Sequence, residues 1–210
     1  IKVPVLLGVY DAIEQHRFDP ISRVHVRNRF ISVVDGRPYR VPRSSDANAE
    51  VQAAIGRMLT VHELAEHMIV TSSNLATNLL VAQLVASAIQ ASARRLGADS
   101  IVVLRGVEDQ KAYDRGLSNT TTARDLAVLL AAIAQGRAAS DSSSAIMPNI
   151  LSQQQFRAGI PAGIPPGTRV ASKTGNITGV NHDAAVIFPP ARPPYVLVIL
   201  TRGFPSPGEA

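Results

Sequence analysis

The stretch RVASKTGNITGVNHDAAVIFPPARPPYVLVILT, Arg169 to Thr201, contains three short apolar or β-branched runs separated by turn-forming residues. Residues 169–172, 183–188 and 195–201 read as strands. The last two are joined by Pro189-Pro190-Ala191-Arg192-Pro193-Pro194, a stiff hairpin connection. Just upstream, residues 159–167 are rich in Pro and Gly and read as a surface loop.

Further upstream the period changes from two to that of a helix. Residues 3–15 place Val5, Leu6, Val9 and Ile13 at helical spacing, with Val3 and Leu7 broadening the stripe; the run to Gln15 without a turn signal favours helix over strand. From Arg23 to Val41 the pattern weakens to a loop-rich crossover with one small hairpin at Asp35-Gly36, and Pro38 and Pro42 argue against a central strand. Thr60 with Glu63 forms a capping box ahead of Leu64 and Met68. A second cap is expected at Thr71 or Ser72, before Leu75, Leu79, Leu80 and Leu84. Gly97 closes the next helical stretch, and residues 101–104 are strand-like or buried. Residues 106–119 are polar and irregular, as in a surface loop. Thr120-Thr121-Thr122 caps a helix from Ala123 to about Gln135 with Leu126, Leu129, Leu130 and Ile133 on its apolar face. Helices in the middle and strands at the end give an α+β fold, with a helical lobe beside an antiparallel sheet. Residues 1–210 read as one domain, about 43–150 the helical lobe and 160–210 the sheet region, with no structure-forming pattern in 204–210.

Composition narrows the function. The chain has 46% hydrophobic residues, enough for a substantial core, but only 4% aromatic ones, so that core is built from Leu, Val, Ile and Ala. It has no Cys, which excludes disulfides and thiolate chemistry. The net charge of +5 serves solubility or an electropositive cleft for anionic ligands. Nucleic-acid binding is not expected, because the basic groups Arg94-Arg95 and Arg23, Arg27 and Arg29 are short and scattered. No membrane span is expected either, since residues 79–89 are short and interrupted by Gln83 and Ser87. The chain opens on Ile1-Lys2-Val3, so the lack of a visible signal peptide says nothing about export.

Three polar signals stand out: Lys2 at the start of an apolar helix, Ser72-Ser73-Asn74 at the head of another, and Lys173-Thr174-Gly175 directly after a strand ending at Ser172. Singly, capping accounts for the serines and solvation for the lysines. Together they resemble the serine penicillin-recognising enzymes, which include class A β-lactamases and D,D-transpeptidases or carboxypeptidases. Those enzymes carry Ser-x-x-Lys, Ser-x-Asn and Lys-Thr-Gly in that order. Ser72-Ser73-Asn74 resembles the second motif and Lys173-Thr174-Gly175 the third, while Thr120-Thr121-Thr122-Ala123 is similar to the threonine run after the omega loop of class A enzymes. Lys2-Val3-Pro4-Val5 resembles the end of the first motif. The nucleophilic serine would then stand three residues before Lys2, ahead of Ile1, and no serine within residues 1–12 replaces it. The expectation is a chain that starts inside the enzyme, just after its nucleophile, and that lacks the terminal helices which family members pack on the sheet.

A serine hydroxyl is a poor nucleophile until a base takes its proton. Serine and lysine three apart share a helix face, and the lysine is a base only if burial or a second cation, such as Lys173, lowers its pKa. The resemblance implies catalytic roles for Lys2, Ser72, Glu108 and Lys173. Ser72 would relay a proton to the leaving nitrogen. Asn74 would hold a substrate amide, Thr174 and Lys173 with Gly175 would bind its carboxylate, and the Asn176 N–H would complete an oxyanion hole. In class A enzymes a Glu-x-x-x-Asn motif positions the deacylating water. Glu108 is the matching acid, but Ala112 stands where the Asn would be. That departure points toward a D,D-peptidase or esterase of the same fold, with Glu108 as a surface or salt-bridged acid. A non-catalytic module that binds peptidoglycan or a protein is the remaining alternative. The resemblance implies a small-molecule β-lactam or peptidoglycan-type peptide as partner, a monomer, and a periplasmic or secreted location. No cofactor or metal is expected, because His62 and His67 are five apart and His16 and His25 lie in unrelated segments. His182, beside Asp183, reads as structural, with contact to the substrate's distal end as the alternative.

Overall fold

A computed structural model describes residues 1–140, 143, 145–177 and 179–203; the expectation for residues 204–210 lies outside them. Helix α1 (Lys2–Glu14) is buried at Val3 through Tyr10 and at Ala12, far more than a single stripe. The reason is that α3 (Val61–Val70), α4 (Asn74–Leu84) and α5 (Ala86–Arg95) all pack on it. Gly8 permits the approach of α5: a Cβ there would stand 3.2 Å from Ile89 Cγ1 and 3.5 Å from Leu84 Cδ1. Pro4 falls in the first turn, where its missing N–H breaks no helical bond. Lys2 thus heads a helix enclosed over most of its surface.

Thr60 caps α3 with the full reciprocal box to Glu63, as the sequence predicts. The cap of α4 is Ser73 rather than Thr71 or Ser72, its Oγ accepting from Ala76 N at 3.1 Å. Helices α4 and α5 meet at an angle of 86°. The break is at Val85, whose φ is 61°, and no Gly or Pro announces it in the sequence. Among the described residues no single helix is long and apolar enough to cross a membrane. After α6 (Gln110–Asp114) and α7 (Ala123–Ala134), α8 (Ile146–Ser152) buries Met147, Ile150 and Leu151 and packs on the sheet. The segment at 106–119 is not simply a surface loop: Asp109 and Ala112 are buried, α6 forms inside it, and Val102 bridges Thr120 at its neck.

The pairs β1 (Arg23–His25) with β4 (Met58–Thr60) and β2 (Phe30–Ile31) with β3 (Pro38–Tyr39) are small antiparallel ribbons, the second being the expected hairpin. The main sheet is antiparallel in the order β5 (Arg169–Ile177), β6 (Val180–Phe188), β7 (Tyr195–Arg202). Strand β5 does not stop at Ser172. Pairing with β6 carries it through Lys173-Thr174-Gly175, with Lys173 opposite Ala184 and Thr174 opposite Asp183. Pairing here outweighs the poor strand propensity of Gly175 and Asn176. Ala171, Ala184 and Val186 join the helical core, whereas Val170, Ala185 and Ile187 pack with Ile160 on the other face. Lys173 alternates with Ser172, as Ala171 does, and so faces the helices.

Candidate active site

The site is built on the short joint between α3 and α4. Thr71 ends the first helix and Ser73 caps the second, which leaves Ser72 between them at φ 60°. A non-glycine residue keeps that left-handed conformation only when its neighbours are fixed. Here they are. Ser73 N–H donates to His67 O at 3.0 Å. The Asp46 carboxylate accepts from Asn74 N at 3.2 Å, Leu75 N at 3.0 Å and Ser73 Oγ at 3.3 Å. Asp46 thus supports the candidate site, and local sequence pattern does not mark it. It sits in Ser44-Ser45-Asp46-Ala47-Asn48, whose composition marks a turn but gives no hint of a helix start 28 residues away.

The Ser72 hydroxyl lies between two amines. Lys2 Nζ donates to it at 2.9 Å and Lys173 Nζ at 3.0 Å. Lys2 also donates to Ser72 O at 2.6 Å and Asn74 Oδ1 at 2.8 Å, so all three of its protons have acceptors. Asn74 turns its amide nitrogen the other way, to Ser45 O at 2.6 Å and Glu108 Oε1 at 3.0 Å. Lys173 also donates to Thr174 O at 2.8 Å. Five residues singled out in the sequence therefore meet in one hydrogen-bonded network: Lys2, Ser72, Asn74, Glu108 and Lys173. Thr174 adjoins it, half-buried, and Gly175 and Asn176 continue β5 beyond it, exposed.

Both amines are easier to deprotonate than a lysine in water. Burial lowers Lys2 to about 8, against the pull of Asp46 and Glu108. Burial lowers Lys173 to about 7, with the charge of Lys2 acting in the same direction and Asp183 against it. Asp183 is itself raised by burial, although it accepts from Ile160 N at 2.8 Å and Ala184 N at 2.9 Å. His182 Nδ1 accepts from Thr201 N at 3.1 Å, which ties β6 to β7. Among the described residues no three His, Asp or Glu side chains gather as metal ligands. The arrangement can pass a proton along Lys2, Ser72 and Lys173, and it presents a carboxylate, Glu108, at the far side of Asn74.

A sequence profile described as the beta-lactamase enzyme family matches residues 1–210. A β-lactamase of Streptomyces lavendulae is 31% identical over 150 residues, which are 68% of this chain and 48% of that protein. One of Streptomyces albus G is 33% identical over 152 residues, 68% of this chain and 47% of its own. The chain spans about half the length of the curated relatives it matches. Among solved structures, PBP-A superposes with a TM-score of 0.82 at 27% identity, over 99% of this chain and 72% of PBP-A. A mutant of PBP-A in an acyl-enzyme complex with penicillin G gives 0.81 at 28% identity, over 99% and 73%. The β-lactamase of Sphaerobacter thermophilus gives 0.79 at 27% identity, over 96% and 72%.

Proposed function

Because the chain belongs to the beta-lactamase enzyme family, we propose that the protein it comes from is a class A-like serine hydrolase that opens β-lactams, or related amides, through an acyl-enzyme. The single observation that carries this reading is the Ser72 hydroxyl held at 2.9 Å from Lys2 Nζ and 3.0 Å from Lys173 Nζ. By the family resemblance the nucleophile would be a serine three residues before Lys2, a spacing that puts the two side chains on one face of a helix.

Burial lowers both lysines, and the charge of Lys2 lowers Lys173 further, so the pair readily loses one proton and shares the one that remains. Ser72 lets it move, since its hydroxyl is bonded to both amines. A neutral Lys2 keeps its three contacts only by accepting from Ser72, because Ser72 O and Asn74 Oδ1 have no proton to give. A substrate carboxylate beside Lys173 and Thr174 draws the shared proton onto Lys173 and leaves Lys2 as the base. Lys2 takes the serine proton as the oxygen attacks the carbonyl carbon. The C–N bond then breaks, and the nitrogen receives a proton through Ser72. The Asn176 N–H, with that of the serine, faces the developing oxyanion. Glu108 takes a proton from the water as it attacks the ester carbonyl, the acyl C–O bond breaks, and the proton returns to the departing serine oxygen; Asn74 links this carboxylate to Lys2.

One observation favours a second reading, a D,D-peptidase or esterase with a long-lived acyl-enzyme. Ala112 is fully buried and offers Glu108 no polar partner. Catalysis on substrates reaching the cleft from outside the cytoplasm would require a periplasmic or secreted protein. The test is to treat the full-length protein with a fluorescent penicillin and a chromogenic cephalosporin. Covalent labelling followed by turnover is expected. Labelling without turnover supports the peptidase reading, and no labelling rejects both. Reading the codons ahead of Ile1 for a serine three before Lys2 checks the nucleophile directly.

A further inference from the structure

Glu108 is held in a conformation it would not choose. Its φ is 63°, which a residue with a side chain keeps only where its surroundings impose it. On the N-terminal side Asn78 clamps the backbone of Val107. Val107 N–H donates to Asn78 Oδ1 at 2.6 Å, and Asn78 Nδ2 donates to Val107 O at 2.9 Å. On the C-terminal side stands Asp109, which is 1% exposed and takes no part in the acyl-transfer steps above.

The Asp109 carboxylate is fully engaged. Oδ1 accepts from Ser32 Oγ at 2.9 Å and from Ala112 N at 3.2 Å, and Oδ2 accepts from Val33 N at 3.2 Å. A carboxylate is costly to bury unless its oxygens are bonded in this way. It therefore joins three pieces of chain at one point: the turn of the β2–β3 hairpin, the start of α6 and the peptide that follows Glu108. The exposed pair of Lys111 with Asp35, at 2.7 Å, crosses the same junction. Ala112 has no polar group with which to steady Glu108, so the aim of that side chain depends on where its backbone is pinned.

We propose that Asp109 is a positioning residue for Glu108: anchored to Ser32 and Val33, it fixes the backbone that directs the Glu108 carboxylate onto Asn74. The proposal rests on the reading of Glu108 as the acid that activates the deacylating water, and the experiment separates the two. In the full-length protein, acylation by a fluorescent penicillin and release of the label are timed for Asp109→Asn, Ser32→Ala, Glu108→Gln and the double variant Asp109→Asn/Glu108→Gln. Asp109→Asn is expected to slow release roughly 10-fold and Ser32→Ala about threefold, with acylation changed less than about twofold. In the Glu108→Gln background Asp109→Asn should have no further effect, a result that a merely structural role would not give. If Asp109→Asn slows both steps together, or slows release as much without Glu108, Asp109 does not act through Glu108 and the proposal falls, while the role of Glu108 stands. If Glu108→Gln itself releases label at the unaltered rate, the role of Glu108 falls and that of Asp109 with it. Should Asp109→Asn not fold, the same cycle is read with Ser32→Ala.

Discussion

The two ends of the hydrogen-bonded network are built differently. At the Lys2–Ser72–Lys173 end each group projects from a regular element or its junction: the first turn of α1, the α3–α4 joint and the middle of β5. Their positions are set by core packing and strand pairing. At the Glu108 end the carboxylate comes from a loop tied to the rest through the polar side chains of Asn78 and Asp109 and closed on itself by Asn119. The difference teaches that, in the proposed mechanism, acylation and deacylation answer to separate structural supports, and substitution should separate them.

The sharpest break is expected from Lys2→Ala. Losing the base should cut acylation by about 10³-fold while α1 stays folded, checked by label incorporation alongside circular dichroism. Glu108→Gln should leave acylation nearly intact and slow release by about 10²-fold, so that labelled protein accumulates. Gly106→Ala tests the loop's support without replacing a residue of the proton path. A Cβ there would lie 2.9 Å from Asn78 Cγ and 3.1 Å from Tyr39 Oη, so Asn78 must leave Val107. Release should slow roughly 10-fold and acylation little, by the same two timings.

A pH series sharpens the other end. Lys2 and Lys173 lose their protons near 8 and 7 in the fold, against 10.5 for an ordinary lysine. Between those limits the unfolded chain binds more protons than the folded one, so stability rises with pH. The melting temperature should climb from about pH 7 to about pH 10, and Lys173→Met should flatten the climb. The smallest effect serves as a control. Thr60→Ala removes the α3 capping box, far from either arm, and should cost about 1 kcal/mol with both rates unchanged. Thermal melts would show it as a fall of roughly 2–4 °C.

What the sequence disclosed follows the same division. The helices led by Thr60 and Thr122, the β2–β3 hairpin and the sheet strands are local patterns, and they form where periodicity and capping put them. Lys2, Ser72 and Lys173 were legible through motif order. The left-handed turns at Ser72 and Val85 were not, because neither is a glycine and no local pattern marks them. The extension of β5 through Gly175 depends on its partner strand, which no local window contains. Asp46 and Asp109 were silent for a related reason. Each acts on a segment far along the chain, so an isolated acid in a polar stretch carries no mark of it.

The enclosure of α1 has a consequence for how such an enzyme can drift. With Lys2 at the tip of a helix that is packed on every side, its amine moves only when the interior moves, so volume changes at Leu6, Gly8 or Ile89 reach fold integrity and reactivity together. In the proposed enzyme, substrate range is thereby steered away from the interior and onto exposed positions of the Glu108 loop and the β2–β3 hairpin, such as Tyr113 and Ile31, which lie outside the hydrogen-bonded network.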